Sequence, residues 1–418
     1  MPSKAVFVPQ SFTSPPDSAP QERASAAGFR AIIWPLAITL LAQVVTSWAN
    51  LTVPVFAVRL AGDIGVSATW IGVYVSLTYL SGMASAVLCG PFILRYGAIR
   101  ISQICLLIAA CSLTLLTTST LPLAILSALI MGIAYGPTTP ASSHILSAQT
   151  PPKLMPLVFS LKQTGVPLGG MLAGAVVPPL VLLYDWKGAA LIVAAFAATS
   201  VFLLQPLRAR LDIDRSATQK LLVNPLRAIG MVWRIRGLRR MALLSTAFSA
   251  VQMCLLSYLV TYLVVDIGRD LVTAGLILAA AQMAGVAGRV LWGSVSGLLL
   301  SARHVLMLLG LLMAGCGVVM ALVTPAWPLA GLFAIAMVYG ATAISWNGVE
   351  LAELSRLSPP GQAVMATGGS LFFTFTGVML GPTLFGAWVT ATGSYGAGFF
   401  ALAALGLVGA GLLIKRYE

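Results

Sequence analysis

The sequence is short of charge. Only 8% of its 418 residues are Asp, Glu, Lys or Arg, against about 25% in soluble domains, so a water-facing globular surface cannot be assembled from it. Acid is the scarcer sign, with 11 Asp and Glu against 24 Lys and Arg. The two histidines, His144 and His304, and the five cysteines (Cys89, Cys105, Cys111, Cys254 and Cys316) form no HExxH or CxxC spacing. That removes the usual basis for a metal centre or a disulfide framework. A GxxxxGK[ST] phosphate loop is absent too, and with these motifs missing an integral-membrane enzyme is disfavoured and no cofactor is expected. Alternating ten-residue segments, the mark of a transmembrane barrel, are missing as well: ALIVAAFAATSVFLL (190–204) does not alternate.

What the chain does have is apolar length. It is 59% hydrophobic with a mean hydropathy of +0.96, arranged in runs of about 20 residues separated by short polar joints. This pattern specifies an all-α integral membrane protein. Twelve spans are expected, near 31–58, 66–90, 101–119, 121–145, 157–183, 188–205, 241–265, 271–297, 305–323, 327–349, 362–390 and 395–414. Residues 1–30, with Pro2, Pro9, Pro15, Pro16 and Pro20 and no apolar core, read as a disordered tail rather than a secretory signal. Residues 206–240 read as a basic linker and 415–418 as a second tail.

Charge then orients the spans. On the odd-numbered hairpins the only cations are Arg59, Lys187 and Arg269, while Lys162 and Arg289 lie within spans. The remaining nineteen are on the tails and even-numbered loops, which is expected to put both termini in the cytoplasm. The net charge of +13 is thereby explained by topology, without a nucleic-acid partner. The basic run RAIGMVWRIRGLRR (227–240) is expected to lie against acidic headgroups of the bilayer.

The chain is also written twice. Asp63-Ile64-Gly65 recurs as Asp266-Ile267-Gly268, VLCG (87–90) as VLWG (290–293), and Arg100 as Arg303, at a constant offset of 203. LSAQTPP (146–152) recurs as LSRLSPP (354–360) at an offset of 208. Two six-helix bundles in the same orientation, 31–205 and 241–414, are parallel repeats about an axis along the membrane normal.

The loop GPFILRYGAIR (90–100) resembles the signature of the major facilitator superfamily (MFS), G-x-x-x-D-R-x-G-R-R. Gly90, Arg95, Gly97 and Arg100 match; the family's Asp falls at Leu94, and a basic position reads Ala98. The second copy, GSVSGLLLSAR, keeps Gly293 and Arg303. SLKQTGVPLGG and WNGVELAELSRLSPP are similar to the branch near the bacterial cyanate and nitroimidazole permeases. The resemblance implies an alternating-access secondary transporter, acting as a monomer, with a cavity lined by spans one, four, seven, ten and their neighbours. It implies a proton as a candidate coupling ion, and it puts in doubt the cytoplasmic latch to which the family's Asp contributes.

Lys162, in span five, is the candidate centre. Placing a cation in the membrane costs roughly 2.5–3.5 kcal/mol on insertion scales. Two readings stay open: a snorkelling or carboxylate-paired anchor, and a cation in a wet cavity that attracts an anionic substrate. Gln163 and backbone freed by Pro167 would add hydrogen-bonding groups. Asn50, Tyr79, Tyr135, Gln252, Gln282, Trp346 and Asn347 are further substrate-binding candidates, with interhelical hydrogen bonding as the alternative. Gly165 and Gly169, and Gly170 and Gly174, read as helix-packing faces. Glu350, Glu353, Arg289 and Arg356, with Arg95, Arg100 and Arg303 in the loops, are expected to form gating ion pairs, or a glutamate among them to take up the coupling proton. Asp63 and Asp266 are expected to cap spans two and eight. The substrate expected is a small organic or inorganic anion. A multidrug exporter of the same fold and a non-transporting membrane sensor are the competing readings.

Overall fold

In the computed structural model, residues 19–150, 155–212, 226–359 and 363–414 are described, and every element among them is helical. α1 (Ala19–Val55) is the first span. α2 (Ala57–Ile64) continues it and a short 3-10 turn leads into α3 (Ile71–Tyr96), the two arms meeting at 112°. α4 (Ala98–Leu116) is the third span, and α5 (Leu121–Tyr135) with α6 (Thr138–Gln149) makes the fourth. α7 (Met155–Gln163) opens the fifth, while α8 (Gly165–Leu211) completes it and carries the sixth. α9 (Leu226–Arg234) lies in the connection between the halves. α10 (Arg236–Val265), α11 (Leu271–Leu298) and α12 (Ala302–Ala321) follow, then α13 (Leu329–Ala343) and α14 (Asn347–Leu357) in the tenth segment, α15 (Ala363–Thr392) and α16 (Tyr395–Gly411).

Among the described residues, nine helices are long and apolar enough to cross a membrane, or ten if the bent pair counts as one span. One of the nine is the 51-residue stretch Leu161–Leu211. It is bent at Asp185, whose φ of 59° and ψ of 170° interrupt the helix, so it fills two expected segments. The shorter apolar helix Tyr395–Gly411 fills the twelfth.

Two boundaries differ from expectation. α1 starts at Ala19, so the Ala-rich stretch 19–30 is helical where a disordered tail was expected; alanine is the best helix former, and its run joins the first span without a break. The linker is likewise largely helical where described, because α8 runs to Leu211 and α9 occupies Leu226–Arg234. Residues 1–18 and 415–418 of the expected tails, and 213–225 of the linker, lie outside the described residues.

Helix breaks fall at matching places in the two halves. The fourth segment breaks at Gly136-Pro137 and the tenth at 344–346, which the offset of 208 makes equivalent. The fifth breaks at Thr164. A helical carbonyl accepts from the N–H four residues on, and proline has none. Pro137 therefore cannot serve Ile133, nor Pro167 serve Gln163.

Packing repeats as well. α8 packs on α1 within its own half and on α11 across the interface; α15 packs on α10 within its half and on α3 across it. Glycine permits the crossings. A Cβ on Gly174 would stand 2.5 Å from the carbonyl oxygen of Gly275, and one on Gly72 would collide with the Pro382 carbonyl and the Tyr258 hydroxyl. Gly72 and Gly275 are repeat equivalents, so one position closes both diagonals. Around the α3–α15 crossing, Ser76 is hydrogen-bonded to Thr383 at 2.6 Å and donates to the Met379 carbonyl, and Thr69 to Thr390 at 3.0 Å. Tyr258 donates to the carbonyls of Thr69 (2.8 Å) and Pro382 (2.9 Å). These contacts join the halves on the side of the odd-numbered hairpins.

The hairpin aspartates do not cap as expected. Asp63 accepts from the Trp186 indole at 3.0 Å and lies 3.6 Å from Lys187. The cap of α11 is Asp270, which accepts from the Thr273 amide at 2.9 Å; hydrogen bonding to Thr273 holds its carboxyl below the usual range. Asp266 is four residues too early to reach the free amides of the first turn.

Candidate functional site

Lys162 sits at the end of α7, against the break at Thr164, and is 1% exposed. Its ammonium donates to Thr139 Oγ1 at 3.2 Å and to Gln163 Oε1 at 3.3 Å. Thr139 in turn donates to Gln43 Oε1 at 3.1 Å, and Gln43 Nε2 donates to Ser47 at 3.2 Å. A snorkelling lysine would end at water, and an anchoring one at a carboxylate. This one is buried on neutral oxygens contributed by α6 and its own turn, with α1 behind them.

The Gln163 carbonyl that Pro167 cannot serve is taken by Arg289 of α11, whose Nη1 donates to it at 3.2 Å. A proline in one half thus draws an arginine from the other to the residue next to Lys162. Among the described residues no carboxylate is in ion-pair contact with either cation. Nε of Arg289 is buried without a partner, as are both amide atoms of Gln282, also on α11. Gln282 sits over Gly170 and Gln43 over Gly165. The glycines after Lys162 therefore admit helix α1 on one side and α11 on the other.

The remaining candidates form two further groups. Asn50 donates to the Tyr79 hydroxyl at 3.4 Å, and the Tyr79 ring meets Tyr135 at 5.5 Å and Phe375 at 6.3 Å. In the second half, the Trp346 indole donates to Gln252 Oε1 at 3.0 Å and its ring packs edge-on to Phe248. Asn347 Oδ1 and the Tyr339 hydroxyl lack partners.

The expected gate network is not assembled as one unit. Glu353 pairs with Arg356 of its own helix through two contacts, 2.7 and 2.9 Å, because three residues along α14 bring them to one side. Arg289 belongs with Lys162 instead. Glu350, 4% exposed, accepts from Ser245 at 2.8 Å and Ser370 at 3.1 Å. The offset of 208 makes Ser370 the counterpart of Lys162. The junction of spans one, four and five thus carries a cation and its repeat, of spans seven, ten and eleven, a carboxyl.

The loop arginines also stay within their halves. Arg95 stacks 5.7 Å from the Tyr96 ring. Arg303 donates to the Leu413 and Ile414 carbonyls at 2.8 and 2.7 Å, ending the last helix. At Arg100 the backbone matters more than the side chain: its amide and that of Ile99 donate to the Asp212 carboxylate at 3.2 and 2.8 Å. Asp212, at the end of the sixth span, thus caps α4, and a Cβ on Gly97 (φ 96°) would collide with it. Asp212→Ala is expected to destabilise the fold by about 1–2 kcal/mol, the usual cost of a lost cap, while Asp212→Asn keeps most of it. Denaturation of both variants in detergent checks this.

A family model, the Major Facilitator Superfamily, matches residues 39–354. The chain belongs to the Major Facilitator Superfamily. Among superfamily relatives, monocarboxylate transporter 13 of Bos taurus is 28% identical over 304 residues, spanning 72% of this chain and 68% of that protein. Solved structures agree on the fold. A bacterial homologue of the human lysosomal transporter Spinster, inward-facing and occupied, superposes with a TM-score of 0.72 at 15% identity, covering 92% of this chain and 96% of the other. A point mutant of the nucleoside transporter NupG gives 0.71 at 18% identity, covering 91% and 97%. The superfamily is one of membrane transporters, and the resemblance first drawn from residues 90–100 is borne out.

Proposed function

We propose that the protein is a secondary transporter of a small organic anion, with a monocarboxylate the leading class, and that it carries a proton with its substrate. The single observation behind the anion is the pair Lys162 and Arg289, two cations from opposite halves meeting beside one freed carbonyl without an acid. An anion bound between them neutralises like charges that otherwise repel, and guanidinium suits a carboxylate's planar geometry. The relationship to a monocarboxylate transporter supports the same class. Because one cation comes from each half, the anion also bridges the bodies 31–205 and 241–414 whose rocking exposes the site to either side. The contacts on the odd-hairpin side fit a state closed to the periplasm, with both termini in the cytoplasm of an inner membrane.

Glu350 is the proton carrier in this reading. Its partners are two serine hydroxyls, which serve a neutral or an ionised carboxyl equally. Several cations on the neighbouring helices are engaged elsewhere: Arg289 of α11 by Gln163, Arg303 of α12 by the end of α16, Arg356 by Glu353, and Arg239 of α10 by the Trp233 ring. α15 contributes no charged residue, and His304 is hydrogen-bonded to Ser301. Among the described residues the Glu350 carboxyl is in no ion pair, so no direct cation contact holds it to one protonation state.

Uptake of labelled short-chain monocarboxylates, cyanate and nitrate into proteoliposomes tests the function. The expected result is saturable monocarboxylate uptake, accelerated when the outside is acidified. Glu350→Gln is expected to leave counterflow exchange intact and abolish the response to a pH gradient. Uptake of no anion by the wild type rejects the function, and a gradient response unchanged in the Gln variant rejects Glu350 as carrier.

A further inference from the structure

The basic run between the halves contains no Asp or Glu from residue 215 to 265. Within it, α9 is held face-down on the second half. Val232 is fully buried, and the Ala228 carbonyl lies against Gly369 of α15, where a Cβ would stand 2.5 Å away. Trp233 stacks on Phe373, also of α15, with ring centroids 5.8 Å apart and planes 8° from parallel. The other side of the corner is basic and open. Trp233 remains 49% exposed, Arg239 lies 5.8 Å over its ring, and Arg234 and Arg236 are exposed. α10 begins at Arg236 and crosses the membrane, so the corner stands at the bilayer boundary.

A half-exposed tryptophan flanked by arginines at that depth is the chemistry of an interfacial anchor. We propose that the α9–α10 corner is a binding site for an anionic phospholipid headgroup, with Arg234 and Arg239 holding the phosphate and Trp233 lying at the headgroup level. The site reaches the transport machinery in one step. Gly369, against which α9 rests, precedes Ser370, the partner of Glu350. A bound headgroup therefore fixes α9 against the stretch of α15 that carries the Glu350 contact, and leaflet charge becomes an input to the second half.

The test does not depend on what the protein transports. Purified protein in neutral detergent is titrated with dioctanoyl phosphatidylglycerol and, separately, dioctanoyl phosphatidylcholine. Bound lipid is counted by native mass spectrometry, and Tm is followed in parallel. Expected are preferential retention of phosphatidylglycerol and a rise in Tm with its concentration. Loss of about fivefold in retention is expected for each arginine neutralised in Arg234→Gln and Arg239→Gln, from the contribution of one cation at an anionic surface. Arg234→Lys and Arg239→Lys keep the charge and are expected to retain the lipid. Equal retention of the two lipids, or phosphatidylglycerol retention unchanged in the double Gln variant, overturns the proposal. So does glycerol phosphate competing as strongly as the lipid, which would make the site one for free phosphate.

Discussion

Lys162→Ala should abolish anion uptake while the protein still inserts and folds. The ammonium reaches two neutral oxygens and has a third hydrogen to give, and a charge-assisted hydrogen bond contributes roughly 1.5–3 kcal/mol. At about 1.4 kcal/mol per factor of ten, losing it weakens anion binding by about ten- to a hundredfold, and the unneutralised site loses the long-range attraction as well. The alanine variant leaves Thr139 and Gln163 able to bond one another or water, so no buried charge is stranded and stability falls little. Lys162→Arg keeps the charge but brings a planar fork into a space shaped for a compact ammonium, and partial rescue is expected. Initial uptake and Tm, measured side by side, decide the matter. Normal uptake by the alanine variant would return Lys162 to the role of an anchor.

The second large effect concerns the crossings. A methyl group on Gly72 or Gly275 has no room, because backbone of the opposite half occupies its place. Overpacking costs roughly 1–3 kcal/mol at one site. Since the strain exists only while the odd-hairpin side is closed, it shifts population toward the open form. The combined Gly72→Ala and Gly275→Ala variant at about 4 kcal/mol moves that equilibrium by nearly a thousandfold. Transport should fall to near background. A cysteine at Ser76, in a background lacking the native cysteines, should be labelled by an impermeant maleimide from the odd-hairpin side far faster than in the parent. Unchanged labelling would mean that the crossings do not separate during the cycle.

Much of the fold could be read from the chain. Runs of apolar residues locate the nine or ten helices that, among the described residues, are long and apolar enough to cross a membrane, because the bilayer tolerates no unsatisfied backbone. The site was half legible. Lys162 stands out by its depth, and Pro167 announces a free carbonyl four residues earlier. What sequence cannot supply is who takes that carbonyl. Arg289 is 126 residues away, and depth alone groups it with Glu350 and Glu353. Asp212 was hidden for the same reason: it meets Ile99 across 113 residues, at the motif whose own acid reads Leu94. The break at 344–346 carries neither glycine nor proline, and only its repeat partner at Gly136-Pro137 hints at it.

The cation of one half and the carboxyl of the other break the equivalence that duplication created. A substrate with a single charged end consequently has one way round in the site. In the proposed function its head lies between Lys162 and Arg289, away from the carboxyl of Glu350, which repels an anion whenever it is ionised. Under that proposal the attraction at the Lys162–Arg289 pair and the repulsion at Glu350 set the substrate's orientation from separate places, each open to separate alteration.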